Sequence, residues 1–160
     1  MFTRPPLLPV LVGIWLVPLI LGLMLDPFGG VTFFLPRPAE AAFRLREAAY
    51  FDRGSHCASG SQIAWREVLA GPHAESWYRA IADDAYSPAG QLYGLIGLYA
   101  IDSTSLDSLA WPYEGRLTTD SVIVVADDTV GWMSPLEMLR PNTVDSIVTV
   151  FRDAHPRPEC

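Results

Sequence analysis

Three histidines, two cysteines and two acidic pairs are the residues with which this 160-residue chain could do chemistry. His56 adjoins Cys57 in a glycine-rich stretch, Gly54 to Gly60, and an imidazole beside a thiol is the couple that activates a nucleophilic cysteine. Neighbours in a chain rarely present both groups to one substrate, and the Cys-His pairs of thiol enzymes come from distant segments, so Cys57 reads as structural or unpaired. His73 follows Gly71-Pro72 at a helix start, and His155 lies between Ala154 and Pro156; both read as surface residues. Asp83-Asp84 close a helix, where negative charge opposes the macrodipole, and Arg79 one turn earlier is the partner to look for. Asp127-Asp128 suit a turn. With Asp120 they could collect a calcium ion, but the ligand spacing and glycine of an EF-hand are absent. The chain has no G-x-S-x-G elbow, Walker A loop, dinucleotide fingerprint or H-E-x-x-H helix. No catalytic residue, metal ligand or cofactor is therefore assigned, and a non-enzymatic role is expected.

Composition narrows the field further. Eighteen Asp and Glu stand against eleven Arg, and there is no lysine at all. Schiff-base, pyridoxal and P-loop lysine chemistry are thereby excluded, and no basic stripe exists to neutralise phosphates, which argues against nucleic acid as a partner.

The elements that must position these residues begin with an uncharged apolar run, Leu7 to Leu25, behind Arg4. About 19 residues rising 1.5 Å each span roughly the hydrocarbon thickness of a bilayer. The run is longer than the apolar core of a secretory signal, and the nearest small-x-small site, Ala39-Glu40-Ala41, lies far beyond it. We expect residues 1–26 to form a transmembrane anchor in contact with membrane lipid through 7–25, a cleaved signal being the alternative. Residues 27–38, with Phe28, Phe33 and Phe34, read as an interfacial linker. Arg4 and the terminal amine face no cation before Arg37, a bias that places the remainder on the exported side. Cys57 and Cys160 would both lie there, where disulfides persist; they could pair, or Cys160 could stay free.

One small helical domain is expected over 39–153, with an irregular tail at 154–160. Residues 39–51 are rich in helix formers and contain no Gly or Pro. A second helix begins at Ser61 or just after and stops at Gly71-Pro72; a third runs from about His73 to Ala85. Ser87-Pro88 is a cap followed by proline at the first helical position, and the helix it opens is apolar almost all round. Gly90, Gly94 and Gly97 share one face of that helix, which predicts close approach of a neighbouring helix, with a ligand groove as the alternative. A short helix is expected from Ser105 to Trp111. Ser121–Val125 and Thr129–Met133 then suggest a β-hairpin near 121–133. Residues 135–139 suit a helical turn or two. Asn142 could cap a last helix carrying Val144, Ile147, Val148 and Phe151, although the β-branched content there leaves a strand open.

Successive helices of 10–14 residues joined by short loops, from Ser61 to Trp111, resemble the antiparallel helix pairs of HEAT-type repeat proteins. The string SPAGQLYGLIGLYAID also resembles a segment of small exported bacterial proteins with no assigned activity. The resemblance implies helical packing and a binding surface and brings no catalytic residue. The fold expected is thus mainly α: one transmembrane helix, then short antiparallel helices and a C-terminal hairpin. The function expected is a membrane-anchored, exported protein-interaction or structural domain, an accessory subunit of an envelope complex. A ligand or metal carrier and a small envelope hydrolase are the alternatives. Trp65, Trp77, Tyr78, Trp111 and Trp132 are the aromatic candidates for contact with a protein partner.

Overall fold

The helix with the most apolar sequence became the centre of the fold. A computed structural model describes residues 37–54, 58–103, 108, 110–113, 115, 117, 121–126 and 129–154. The chain divides into two units, Met1–Leu35 and Pro36–Cys160, and the described residues all belong to the second. In chain order its elements are α1 (Arg37–Arg46), β1 (Phe51–Gly54), α2 (Gly60–Ala70), α3 (Ala74–Asp84), α4 (Pro88–Ile101), β2 (Val122–Ala126), β3 (Thr129–Met133), α5 (Pro135–Met138) and α6 (Pro141–Asp153). A 3-10 turn at Trp111–Tyr113 lies between α4 and β2.

Local chemistry explains most boundaries. Ser59 and Gln62 form a capping box at the start of α2: the Ser59 hydroxyl accepts from the Gln62 amide, and the Gln62 side chain accepts from Ser59 N–H. Ser87 caps α4 by accepting from Gly90 N–H, with Pro88 at the first helical position, as expected from sequence. Pro141 occupies the first position of α6, so Arg140 rather than Asn142 is its cap residue. That segment is helical, and its Val144, Ile147, Val148 and Phe151 stripe is buried.

Two expectations require correction. The first concerns residues 39–51, read as one helix. Helix α1 stops at Arg46, where the α3–α4 connection takes over its carbonyl and one just beyond: Tyr86 N–H donates to Arg46 O and the Ser87 hydroxyl to Ala48 O. Phe51 instead opens a strand parallel to β2, so the expected hairpin is two thirds of a three-stranded mixed sheet ordered β1-β2-β3. Phe51 drives this change. Its ring is fully buried, 4.6 Å from that of Tyr93 and 5.8 Å from that of Phe151, and burying it outweighs the helix propensity of the residues before it.

The second correction concerns the membrane. Among the described residues no helix is long and apolar enough to cross one: they form a helical domain with a small sheet, and the single-pass transmembrane helix expected is not found among them. Residues 7–25, on which that expectation fell, lie outside the described residues, as does most of the expected helix from Ser105 to Trp111.

One continuous core joins the helices to one face of the sheet. Val122 and Val124 of β2 point into it with Phe51, Trp65, Tyr78, Tyr93 and Phe151. The alternation of a strand sends Ile123 and Val125 to the opposite face.

Candidate interaction surface

The structure sorts the five aromatic candidates into inside and outside. Trp65 and Tyr78 have no solvent exposure. Their rings are 5.8 Å apart, and Trp65 meets Phe151 edge-on at 5.3 Å. The Tyr78 hydroxyl donates to the Trp65 carbonyl at 2.5 Å, and burial raises its pKa far above the ordinary value. Trp77 is half-buried against the same core. Trp111, in the 3-10 turn, is 74% exposed, and Trp132 on β3 is 71% exposed. Core packing has taken the aromatics of the helical half and left these two outside.

The three glycines of α4 form a filled seam. A Cβ on Gly90 would lie 2.8 Å from the Arg46 carbonyl oxygen and 2.9 Å from that of Leu45, and one on Gly94 would lie 2.5 Å from the Ala82 amide nitrogen. On Gly97 it would overlap the ring of Tyr78. Helix α3 and the end of α1 therefore occupy the face where a ligand groove was the alternative. Each glycine costs roughly 1 kcal/mol against alanine in a helix interior, offset here by close approach.

The titratable candidates do not gather. Arg79 pairs with Glu75 at 3.0 Å, the orientation a helix favours, and not with Asp83 or Asp84. Asp83 accepts a hydrogen bond from the Tyr113 hydroxyl. Arg46 closes the end of α3 instead: its guanidinium donates to the Asp84 carbonyl at 3.2 Å, lies 4.0 Å from that residue's carboxylate and sits over the Tyr86 ring. His73 is exposed and takes a left-handed conformation, φ 60°, just before α3. His56, Cys57, Asp120, Asp127, Asp128, His155 and Cys160 lie outside the described residues. Among the described residues there is no group of three or more His, Cys, Asp or Glu placed to share a metal ion. Two buried donors, Gln62 Nε2 and Trp65 Nε1, have no hydrogen-bond partner among the described residues. Both residues are fully enclosed, so these groups reduce stability and are not presented at the surface.

The feature that remains is the outer face of β2 and β3. Val122 lies opposite Met133, Ile123 opposite Trp132, Val124 opposite Gly131 and Val125 opposite Val130. Directly opposed residues share a face, so Ile123, Val125, Val130 and Trp132 form one four-residue apolar patch away from the core. Val130 and Trp132 are each 71% exposed, and Ile123 and Val125 are half-buried. Only Trp132 was a candidate on sequence grounds. Its three neighbours carry a signal that could have found them: the residues that alternate with the core-facing Val122 and Val124 of β2, and those opposite them on β3, are apolar too. Comparison with protein-family models, with curated proteins and with solved structures gives no match.

Proposed function

We propose that this chain is a non-enzymatic protein-interaction domain that engages a partner with the outer face of β2 and β3. The observation that carries the reading is the pair Val130 and Trp132, each 71% exposed beside Ile123 and Val125, with Asp52 of β1, itself buried, as the one charged neighbour on that face among the described residues. A large exposed aromatic flanked by β-branched side chains offers apolar area at little entropic cost, the composition of an interaction hot spot. The continuous core does not include these four residues, so the patch contributes little to the domain's own stability. The apolar run at 7–25 supports delivery to the export machinery, which makes a cell-envelope protein the expected partner. The resemblance of 61–111 to HEAT-type helix pairs is consistent with an assembly role but designates no surface.

A photoreactive amino acid at Val125, on the central strand of the face, tests the reading in intact cells. The expected product is an adduct with a different protein, absent when the same group replaces Ser146 on the exposed side of α6. Equal labelling from the two positions, or none from either, would count against the face. Attaching an impermeant thiol reagent to Cys57 or Cys160 from outside the cell, after mild reduction, checks the exported placement. Labelling only after lysis overturns it.

A further inference from the structure

The edge of β3 away from β2, unpaired among the described residues, raises a question that the face alone does not. Among the described residues β3 pairs only with β2, in five consecutive register pairs without a bulge. Residues 129–133, TVGWM, contain no charge and no proline. Edge strands that stay unpaired normally carry one of these protections, because their open N–H and C=O groups recruit another strand. This edge has none of them.

We propose that β3 pairs with β3 of a second copy, antiparallel about a two-fold axis through Gly131, joining two sheets into one of six strands. The inference rests on reading the β2–β3 region as the interaction region, and three observations favour a second copy as the occupant. The first is parity. Two residues separate Ala126 from Thr129, and a connection of that length closes on a hydrogen-bonded pair, so the amide groups of Val130 and Trp132 face the free edge. A two-fold at Gly131 sets Val130 opposite Trp132 of the partner subunit, and both then bring outward-facing groups to the junction. The second is side-chain complementarity: the same register lays each 71%-exposed Trp132 against the other copy's equally exposed Val130, an aromatic–β-branched couple made twice. The third is charge. The chain carries a net charge of −7, yet β3 itself is uncharged, and the antiparallel register sets the Thr129 ends of the two strands far apart.

The area limits the strength of the dimer. Two such couples and their strand edges bury on the order of several hundred Å², less than the roughly 1,200–2,000 Å² of a stable interface, so the pairing is reversible and concentration-dependent. The outer faces of the two copies become continuous, doubling the patch offered to a further partner.

Gly131 provides the test. On the two-fold it forms a non-hydrogen-bonded pair with its own copy, Cα atoms about 4.5 Å apart, within the roughly 4.4–6.8 Å that a disulfide spans. A Cβ there meets nothing within 4 Å, so cysteine is accommodated. The full chain in mild detergent, with Cys57→Ser and Cys160→Ser, is compared as Gly131→Cys and as Ser146→Cys under the same gentle oxidant. The expected result is a covalent dimer forming about tenfold faster or more at position 131, and abolished by adding Val130→Lys. Equal rates at the two positions overturn the proposal. Should Gly131→Cys fail to fold, sedimentation of the parent chain decides: concentration-dependent dimers lost with Val130→Lys support it, and a monomer throughout overturns it. The outcomes separate from those of the face reading. Adducts at Val125 with no crosslink at 131 leave the interaction domain standing without its dimer, and a crosslink at 131 with no adduct at Val125 does the reverse.

Discussion

Helix α4 and the β2–β3 hairpin are both apolar on more than one side, yet the protein treats them in opposite ways. Every residue from Ala89 to Tyr99 is buried, whereas none of Thr129–Met133 is. The difference lies in what the rest of the chain can supply. Around α4 stand α1, α3, the sheet and α6, and three glycines let the nearest backbone come into contact. The core takes one face of β2, so strand alternation leaves Ile123 and Val125 half-buried and Val130 and Trp132 exposed. Apolar sequence reports a demand for burial. Whether the chain itself meets that demand depends on how many layers it can build, and a domain of this size builds two.

The largest predicted effect therefore falls on the interior side of this contrast. Gly94→Val should cost about 3 kcal/mol or more, since its side chain meets Ala82 backbone at van der Waals overlap and α3 cannot withdraw without opening the seam. Against a typical stability of about 5–15 kcal/mol, that is a large share. The midpoint of denaturant unfolding measures it. A loss below about 1 kcal/mol would show that the face yields, and would return the groove to consideration.

Burial also predicts a pH dependence confined to the core. Tyr78 and Tyr93 are enclosed, and desolvation of the phenolate raises both above the ordinary pKa of 10.0. Their contribution is fully present below pH 10. Above it the unfolded chain releases these protons first, so stability falls as pH rises from 10 towards the higher folded values. Tyr78→Phe should flatten part of that alkaline loss while costing about 1 kcal/mol at neutral pH, from the missing bond to the Trp65 carbonyl. Unfolding curves at pH 7 and pH 10.5 or above compare the two; an unchanged alkaline slope would mean that Tyr78 ionises freely.

How far the sequence could be read follows the same division between local and distant causes. Ser87-Pro88, Gly71 after α2 and the stripe of α6 are short-range signals, and the structure places the elements where they point. The strand Phe51–Gly54 was illegible because its lead-in is helix-forming and its partner, Val124–Ala126, lies far along the chain; strand propensity over four residues cannot outweigh such context in advance. Asn142 lost its capping place to Arg140 because the proline between them suits the first helical position. For the candidate surface, Trp132 stood out by residue type, but its exposure, like the burial of Trp65, is set by which face of which element the core occupies. No periodicity within one element contains that information.

A smaller effect sharpens the helical half alone. His73 adopts a left-handed conformation that costs an L-residue roughly 1–2 kcal/mol, and its side chain makes no capping bond. Glycine removes the steric cost but adds unfolded-state entropy, so His73→Gly should stabilise the fold by about 0.5–1 kcal/mol. A melting temperature that fell instead would mean that the imidazole contributes a contact outweighing the strain.

The smallest effect on stability is also the one that decides the contrast. Trp132→Thr puts another strand-favouring residue at that place on β3 and removes the largest exposed side chain of the sheet. Trp132 lies opposite Ile123 and is 71% exposed, and a cross-strand pair of this kind contributes only about 0.2–1 kcal/mol. The unfolding midpoint should therefore shift far less than for Gly94→Val, while adducts from Val125 and crosslinking through position 131 both weaken by about tenfold or more. A destabilisation above about 2 kcal/mol would reverse the comparison: Trp132 would then belong to the domain's own packing, and the hairpin would be a second interior. Intact stability with lost association would mean that the chain leaves the hairpin's outer face uncovered for another molecule to bury.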